Sequence, residues 1–558
     1  MNALVILVVS IVVLCLGYLF YGRWLAKEWG VDVTRETPAH TMADGVDYCA
    51  AKAPVVLGHH FASIAGAGPI SGPIAAAIFG WLPVMCWILI GGIFFGATHD
   101  FAALFASVRH EGKSIGHIIE MNIGRRGKRL FLVFAYLTLL LVVAAFGSIV
   151  VGTFASGSGD ALNLANGRTA SISMLFIVLA VAFGFFVYRR NAPLGISTVV
   201  GVIGLILCIV IGYNAPIHMT STFWMGFVMV YILVASVTPV WILLQPRDYL
   251  NSFLLYGMLI LAVVGVVAAH PTMALPAFTG WTGINNTSST TLFPYLFITV
   301  ACGAISGFHS LVGSGTTSKQ LDNEKDCMNI GYGGMLIECV LATISVICVG
   351  ILFTAEGGMP TEAATAVFAK GVAVMLETVG LPYEVMYSVL ILAVSAFCLT
   401  SLDTATRLAR YMFQEFFMDE GQTLEDLTGI KKTLANPYVA TAITVALGGS
   451  LMGDYTLIWP LFGASNQLLA ALALLACASW LGNIGKNNKM FMFPMCFMLI
   501  ATLTSLVTST FIPQLTSLMA GFTLAAALQV FFSAALVILA VILAIEGFQT
   551  LSKQAAKK

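Results

Sequence analysis

The property that most limits what this chain can fold into is a succession of apolar segments, each long enough to cross a bilayer as a helix, joined by short polar connections. They lie at 3–22, 59–80, 81–108, 129–152, 171–188, 195–212, 222–245, 253–269, 292–316, 331–355, 383–408, 436–451, 457–480, 490–510 and 517–545. Hydrocarbon offers the backbone no hydrogen-bonding partner, so each segment must satisfy its amides within a helix. The expected fold class is an all-α polytopic membrane protein of about fifteen transmembrane helices. Composition agrees: 59% of the 558 residues are hydrophobic and 9% charged, against about 25% charged in a soluble protein. The opening "MNALVILVVSIVVLCLGYLFYGRW" has no basic start and no small-residue cleavage site, so it reads as a retained first helix rather than a signal peptide.

Lysine and arginine collect in cytoplasmic loops, which tests the helix count. With the N-terminus outside and the C-terminus inside, all of the 26 Lys and Arg except Arg168 and Lys370 fall on the inner side. A missed or invented helix would scramble that bias. The outer loops at 156–167 and 270–291 are polar, rich in turn residues and nearly uncharged. A formal net charge of zero and the lack of a basic tract leave nucleic-acid binding without support. The 11 cysteines are scattered singly, with no Cys-x-x-Cys pair, and read as small buried hydrophobes.

Two glycine-rich stretches interrupt this pattern: "GHHFASIAGAGPISGP" at 58–73 and "SGFHSLVGSGTTS" at 306–318. Ser63-Ile64-Ala65-Gly66-Ala67-Gly68 aligns with Ser310-Leu311-Val312-Gly313-Ser314-Gly315, and His60 and His309 lie just upstream. The copies sit in the second and ninth helices, which run in opposite directions. Paired interruptions of opposite orientation are the mark of an inverted-repeat transporter. Five helices follow from each start, the five-plus-five arrangement of the LeuT-type fold. The chain accordingly divides into 1–58 (an extra helix and inner loop), 59–212 (first repeat), 213–291 (linking helices), 292–480 (second repeat) and 481–558 (extra helices). Unwound backbone presents amides to a carboxylate and carbonyls to a cation, so Ser63, Gly66, Gly68 and Ser71 with His309, Ser310, Gly313 and Gly315 are the expected substrate contacts. The competing reading is a pair of small-residue packing seams.

Ionisable groups inside spans are functional candidates because burying each is costly. His99 and Asp100 form an imidazole and carboxylate pair suited to relaying a proton, or alternatively to packing helices or gating the inner end. Asp403 stands among Thr400, Ser401 and Thr404 as a protonatable group, or else pairs with Arg407 one turn away. Glu338 reads as able to snorkel, and His59 and His60 as interfacial. Asn466 and Gln467 read as interhelical glue or as substrate contacts. No span carries a Glu-x-x-His or His-x-x-x-His pair, so no catalytic or metal residue is expected and a membrane-embedded enzyme is the minor alternative. An ion channel is the other, disfavoured by inverted repeats within one chain.

The stretches "KAPVVLGHHFASIAGAGPISGP", "FGATHDF" (95–101), "PVWILLQPRDYLN" (239–251), "TSLDTATRLARY" (400–411) and "FGASNQLLAALAL" (462–474) resemble the carbon starvation protein A (CstA) family along nearly the whole chain. The resemblance implies a bacterial inner-membrane secondary transporter of the amino acid-polyamine-organocation superfamily, with the LeuT-type fold. Family members are linked to peptide uptake during nutrient limitation, and close relatives to proton-coupled pyruvate import. The expected cargo is a peptide, with pyruvate or another small monocarboxylate as the alternative, and no cofactor beyond a coupling ion. That ion is expected to be H⁺, held by Asp403 or the His99 and Asp100 pair. Na⁺ is the alternative, because the eighth core helix of the LeuT-type architecture supplies hydroxyl ligands, here Thr400, Ser401 or Thr404, opposite carbonyls near Ser63. The expected partners are that small-molecule cargo and the lipid bilayer, with oligomeric state left open.

Overall fold

The computed structural model describes residues 1–44, 47–157, 163–190, 192–239, 242–284, 290–354, 358–419, 422, 424–453 and 455–557. The outer loops at 156–167 and 270–291, Val240 and Trp241 of the quoted 239–251 stretch, and Lys558 lie wholly or partly outside the described residues. Among the described residues, 11 helices are long and apolar enough to cross a membrane, or 12 if the bent pair Ala53–Ile64 and Gly68–Phe79 forms one span.

In chain order the elements used below are α1 (Ala3–Trp29), α2 (Ala53–Ile64), α3 (Gly68–Phe79), α4 (Trp81–Arg109), α5 (Ile115–Asn122), α6 (Arg125–Phe154), α7 (Leu164–Val187) and α8 (Gly195–Asn214). They continue with α9 (Ser221–Val237), α10 (Leu244–Ala269), α11 (Leu292–Thr299), α12 (Gly307–Gly315), α13 (Met328–Leu352) and α14 (Ala364–Glu377). The last are α15 (Tyr383–Phe416), α16 (Pro437–Leu451), α17 (Ile458–Asn483), α18 (Lys489–Ala520) and α19 (Leu524–Ala556).

Each of the fifteen expected segments is helical, with instructive differences. Segments 222–245 and 436–451 give the short helices α9 and α16, and 292–316 is split into α11 and α12 with a tight turn at Ala301–Gly303 between them. α10 begins at Leu244 rather than 253, carrying Arg247 and Asp248 into the protein. Polar side chains define several starts: Thr220 accepts from the Phe223 amide before α9, Ser114 from His117 before α5, and Asn436 from Tyr438 before α16, where Pro437 occupies the first turn.

The short helices α5 and α14 were not expected as core elements. Both bury an apolar face, Ile115, Ile118 and Ile119 in one and Val367, Phe368 and Val372 in the other. They occupy corresponding places in the two halves. In each half a broken helix leads into a span containing a π-turn (Gly92–Gly96 in α4, Met328–Tyr332 in α13), then a short buried helix, then a long span, α6 or α15. The Tyr332 hydroxyl donates at 3.2 Å to the Ile93 carbonyl that the first π-turn frees. α6 and α15 pack along each other through the centre, with α17 beside α6. The helix interiors hold the fully buried Phe131, Phe134, Phe146 and Phe154, while α1, α8 and α19 expose Val, Ile and Phe outward, as a lipid-facing perimeter requires.

Candidate transport site

The two interruptions meet at the centre. The first separates α2 from α3 at Ala65–Ala67 with a 45° bend. The second falls between Thr299 and Gly307, upstream of the aligned Ser310–Gly315 stretch, which is helical. The alignment therefore locates the right helix but not the break itself, because the positive φ of Ala301 (46°), not a glycine of the motif, turns the chain. A Cβ added to Gly68 would come within 2.6 Å of Cys302, and one on Gly72 would fall onto the Val300 carbonyl oxygen. These glycines let one break approach the other. A Cβ on Gly66 would meet the Phe146 ring and Ser401 Oγ at 2.9 Å, whereas one on Gly313 would make an ordinary 3.7 Å contact with Leu104.

Broken helices free amides and carbonyls that lipid cannot satisfy, and side chains of two other spans supply the partners. Ser401 Oγ on α15 donates to the Ser63 carbonyl at 2.9 Å. On α17 the Asn466 carbonyl oxygen accepts from the Phe308 amide (2.8 Å), capping α12, and Gln467 Nε2 donates to the Phe297 carbonyl (2.8 Å), closing the end of α11. Asn466 and Gln467 thus bind the break itself, a narrower role than general interhelical glue. His60 Nδ1 lies 2.8 Å from Thr317 Oγ1, tying α2 to the segment after α12. Ser63, Ser71, Ser310, Gly66, Gly68 and Gly313 are all buried, and Ser310 Oγ donates back to the Gly307 carbonyl. Among the described residues the hydroxyls of Ser63 and Thr404 have no hydrogen-bond partner, while Thr400 Oγ1 accepts from Asn251 at 2.7 Å.

Asp100 on α4 joins two histidines. His99 Nδ1 is 2.7 Å from its Oδ1, and His309 Nδ1 on α12 is 2.7 Å from its Oδ2. The far nitrogen of His309 lies 3.4 Å from Glu338 Oε2 on α13. All four side chains are at most 2% exposed. Glu338, expected to snorkel, is fully enclosed, and among the described residues neither of its oxygens has a hydrogen-bond partner. Ligand atoms of Cys302, His309 and Glu338 lie within 4.8 Å of one another, a spacing compatible with a shared cation. His309, placed by its sequence position among the substrate contacts, belongs to this ionisable cluster. Sequence spacing could not reveal the group, since its members come from three helices far apart in the chain.

Asp403 forms a separate network. Its carboxylate pairs with Arg247 Nη1 and accepts from Tyr231 Oη at 2.7 Å. Arg407, the partner expected from i,i+4 spacing, instead donates to the Ala235 and Thr238 carbonyls. His59, expected at the interface, is buried with Nδ1 2.9 Å from Asp248, and Asp248 lies 3.4 Å from Arg247. The linking helices α9 and α10 are thereby fastened to α2 and α15, and Arg247 is an interior residue rather than a loop cation.

A cavity of about 480 Å³ opens beside the end of α12, lined by Ser314, Gly315, Leu408 and Met412 and by α5 and the start of α6. Of the eight expected substrate contacts only Gly315 reaches it.

The family model described as "Carbon starvation protein CstA" matches residues 2–361 and 354–505. The chain belongs to the carbon starvation protein CstA family. It is 34% identical to a peptide transporter CstA of Campylobacter jejuni, over 90% of this chain and 79% of that one, and 33% identical to a peptide transporter CstA of Escherichia coli, over 90% and 80%. A pyruvate/proton symporter, BtsT of Escherichia coli, is 32% identical over 85% of this chain and 76% of its own. Among solved structures, an Eremococcus coleocola manganese transporter (11% identity, 91% of this chain, 99% of that one) and MhsT in complex with L-phenylalanine (13%, 89% and 99%) each align with a TM-score of 0.48. Family membership makes this a multi-pass membrane transport protein and not an enzyme.

Proposed function

We propose that the chain imports peptides into the bacterial cell by proton-coupled secondary transport, lying in the inner membrane with its N-terminus outside and its C-terminus inside. The relatives named as peptide transporters support the cargo, and the Lys and Arg distribution supports the orientation. The two five-helix units 59–212 and 292–480 rock against each other in the LeuT-type manner about the meeting point of the breaks, supported by the matched order of broken helix, π-turn span, short helix and long span in each half.

The observation that carries the coupling is His309 held between Asp100 and Glu338. A buried carboxylate with no hydrogen-bond donor requires a compensating cation, which the cluster supplies by holding a proton when sealed and releasing it when opened to water. By the same reasoning Asp403 is not the carrier, because Arg247 already neutralises it. Purified protein in liposomes with an imposed pH gradient and no sodium accumulates labelled dipeptide under this reading; strict dependence on sodium refutes it. The sodium reading has its own observation: the Ser63 carbonyl, Ser401 Oγ and the unpartnered Thr404 hydroxyl, one helical turn beyond Ser401. Pyruvate remains the alternative cargo, since BtsT is nearly as similar as the peptide transporters; excess pyruvate abolishing dipeptide uptake would favour it.

A further inference from the structure

The 480 Å³ cavity at the end of α12 is walled by three lysines, Lys113, Lys128 and Lys319, and three acids, Glu120, Glu415 and Asp419. Two of the lysines are committed. Lys128 lies 2.7 Å from Glu120 and 3.8 Å from Glu415, and Lys113 lies 2.8 Å from Glu111. Among the described residues no acid lies within ion-pair distance of Lys319. Its ammonium instead sits over two aromatic faces, 5.2 Å from the Tyr48 ring centroid and 5.6 Å from that of Tyr411. Burial and the nearby Asp47, Asp44 and Glu111 push the Tyr48 phenol up to about 12, so this ring stays neutral. Gly112, with φ of 70°, leaves the room: a Cβ there would come within 3.0 Å of Tyr48 and 3.2 Å of the Lys319 side chain.

A second observation points to a ligand on this wall. Ser314, five residues before Lys319 and 1% exposed, belongs to the cavity wall, and among the described residues its buried hydroxyl has no hydrogen-bond partner. An ammonium with no acid at ion-pair distance, held over two aromatic faces in a cavity wall, can receive a carboxylate. Glu415 also lines the cavity, held by Ser114 (2.9 Å), 3.8 Å from Lys128 and within the field of Lys319, so it is the acid placed to meet a ligand's cation. Burial, with Lys113 and Lys128 nearby, holds His117 below the usual imidazole range, so it adds no competing charge at neutral pH. Leu408 and Met412 add apolar surface to the lining.

We propose that this cavity is a zwitterion subsite on the inner side of the transport path, where Lys319 and Ser314 take the substrate's carboxylate and Glu415 takes its ammonium. The proposal rests on the peptide-import reading and sharpens it: a free α-amine and a free carboxylate in one molecule distinguish a short peptide from a monocarboxylate such as pyruvate.

The test is calorimetric titration of the purified full chain with L-alanyl-L-alanine, its N-acetyl form, its C-terminal amide and pyruvate. Wild type is expected to bind the free dipeptide at least tenfold tighter than either capped form. Lys319→Gln is expected to weaken the dipeptide and the acetylated form about tenfold or more while leaving the amide unchanged. Glu415→Gln is expected to do the reverse, weakening the dipeptide and the amide but not the acetylated form, and Lys319→Arg to restore most of the affinity. Equal loss for all peptide probes, no loss, or capped forms that bind as well as the free dipeptide would overturn the subsite. If a variant fails to fold, the three peptide forms compared on wild type decide the matter alone. Dipeptide uptake that survives in liposomes while binding ignores Lys319 sinks the subsite and leaves the import reading standing; binding of pyruvate with no binding or uptake of dipeptide sinks both.

Discussion

The Ser401 hydroxyl donates to the carbonyl of Ser63 at 2.9 Å, so a helix of the second half closes the backbone left open where the first half's helix breaks. Both residues are 0% exposed, so bulk solvent does not reach the bond. Ser401→Ala is therefore expected to cost about 1–3 kcal/mol by orphaning a buried carbonyl. Thermal unfolding in detergent checks it, with Ser401→Thr expected to keep most of the wild-type midpoint. An alanine variant as stable as wild type would show that the carbonyl has another partner.

The same logic applies at the second break. Asn466→Leu removes the acceptor for the Phe308 amide and the partner of Ser306, with which Asn466 Nδ2 makes a 3.0 Å bond. The helix α12 loses its N-terminal anchor, at about 1–3 kcal/mol. Hydrogen exchange should then rise first at 305–309, ahead of α6 and α15; uniform exchange across the protein would contradict this placement.

How much of this was legible in the sequence depends on whether a feature is local. Apolar length marked each span, and the pair of glycine-rich stretches marked the two helices that break, because both are properties of consecutive residues. The position of the second break was not legible: Ser310–Gly315 carries the glycines, yet Ala301 carries the positive φ, and Asn466 stabilises the turn from another helix. Partnerships were the least legible. Asp403 has Arg407 one turn away, but packing delivers Arg247 and Tyr231 instead, and Glu338 looked able to reach water until α4 and α12 enclosed it with His309.

Glycines of the two breaks are not equivalent, and alanine separates them. At Gly72 a Cβ lands on the Val300 and Thr299 carbonyls, backbone that cannot swing aside, so Gly72→Ala is expected to cost about 1–3 kcal/mol through overpacking. At Gly313 the nearest atom is 3.7 Å away on Leu104, and the helix gains from alanine, so Gly313→Ala should hold or raise the unfolding midpoint. Unfolding scans of the two variants side by side decide it; equal effects would mean that the breaks do not pack as described.

Arg247 and Asp403 are each at most 1% exposed, and Asp248, His59 and Tyr231 extend their network. Removing one partner strands the other's charge in the interior, so Arg247→Met and Asp403→Leu should each cost about 3–5 kcal/mol. The double variant should recover part of that loss, because the two charges leave together, while Asp248 loses Arg247 and keeps His59. A double-mutant cycle on the unfolding free energy tests the pair, and simple additivity of the two losses would show that the residues do not depend on each other.

Glu338 and Asp100 approach His309 from opposite sides, and only Glu338 lacks a hydrogen bond. Glu338→Gln keeps the shape but removes the charge that calls for a proton. Coupling should fail while the substrate path survives: dipeptide accumulation driven by a pH gradient falls at least tenfold, whereas exchange of labelled for unlabelled dipeptide across liposomes with no gradient continues near the wild-type rate. Loss of both would assign Glu338 to the cargo path or the fold, and loss of neither would remove it from coupling. Asp403→Asn is the counterpart, since its carboxylate is already neutralised by Arg247: any defect there should lower accumulation and exchange together. The split between the two assays, more than the size of either loss, separates a proton carrier from a structural charge.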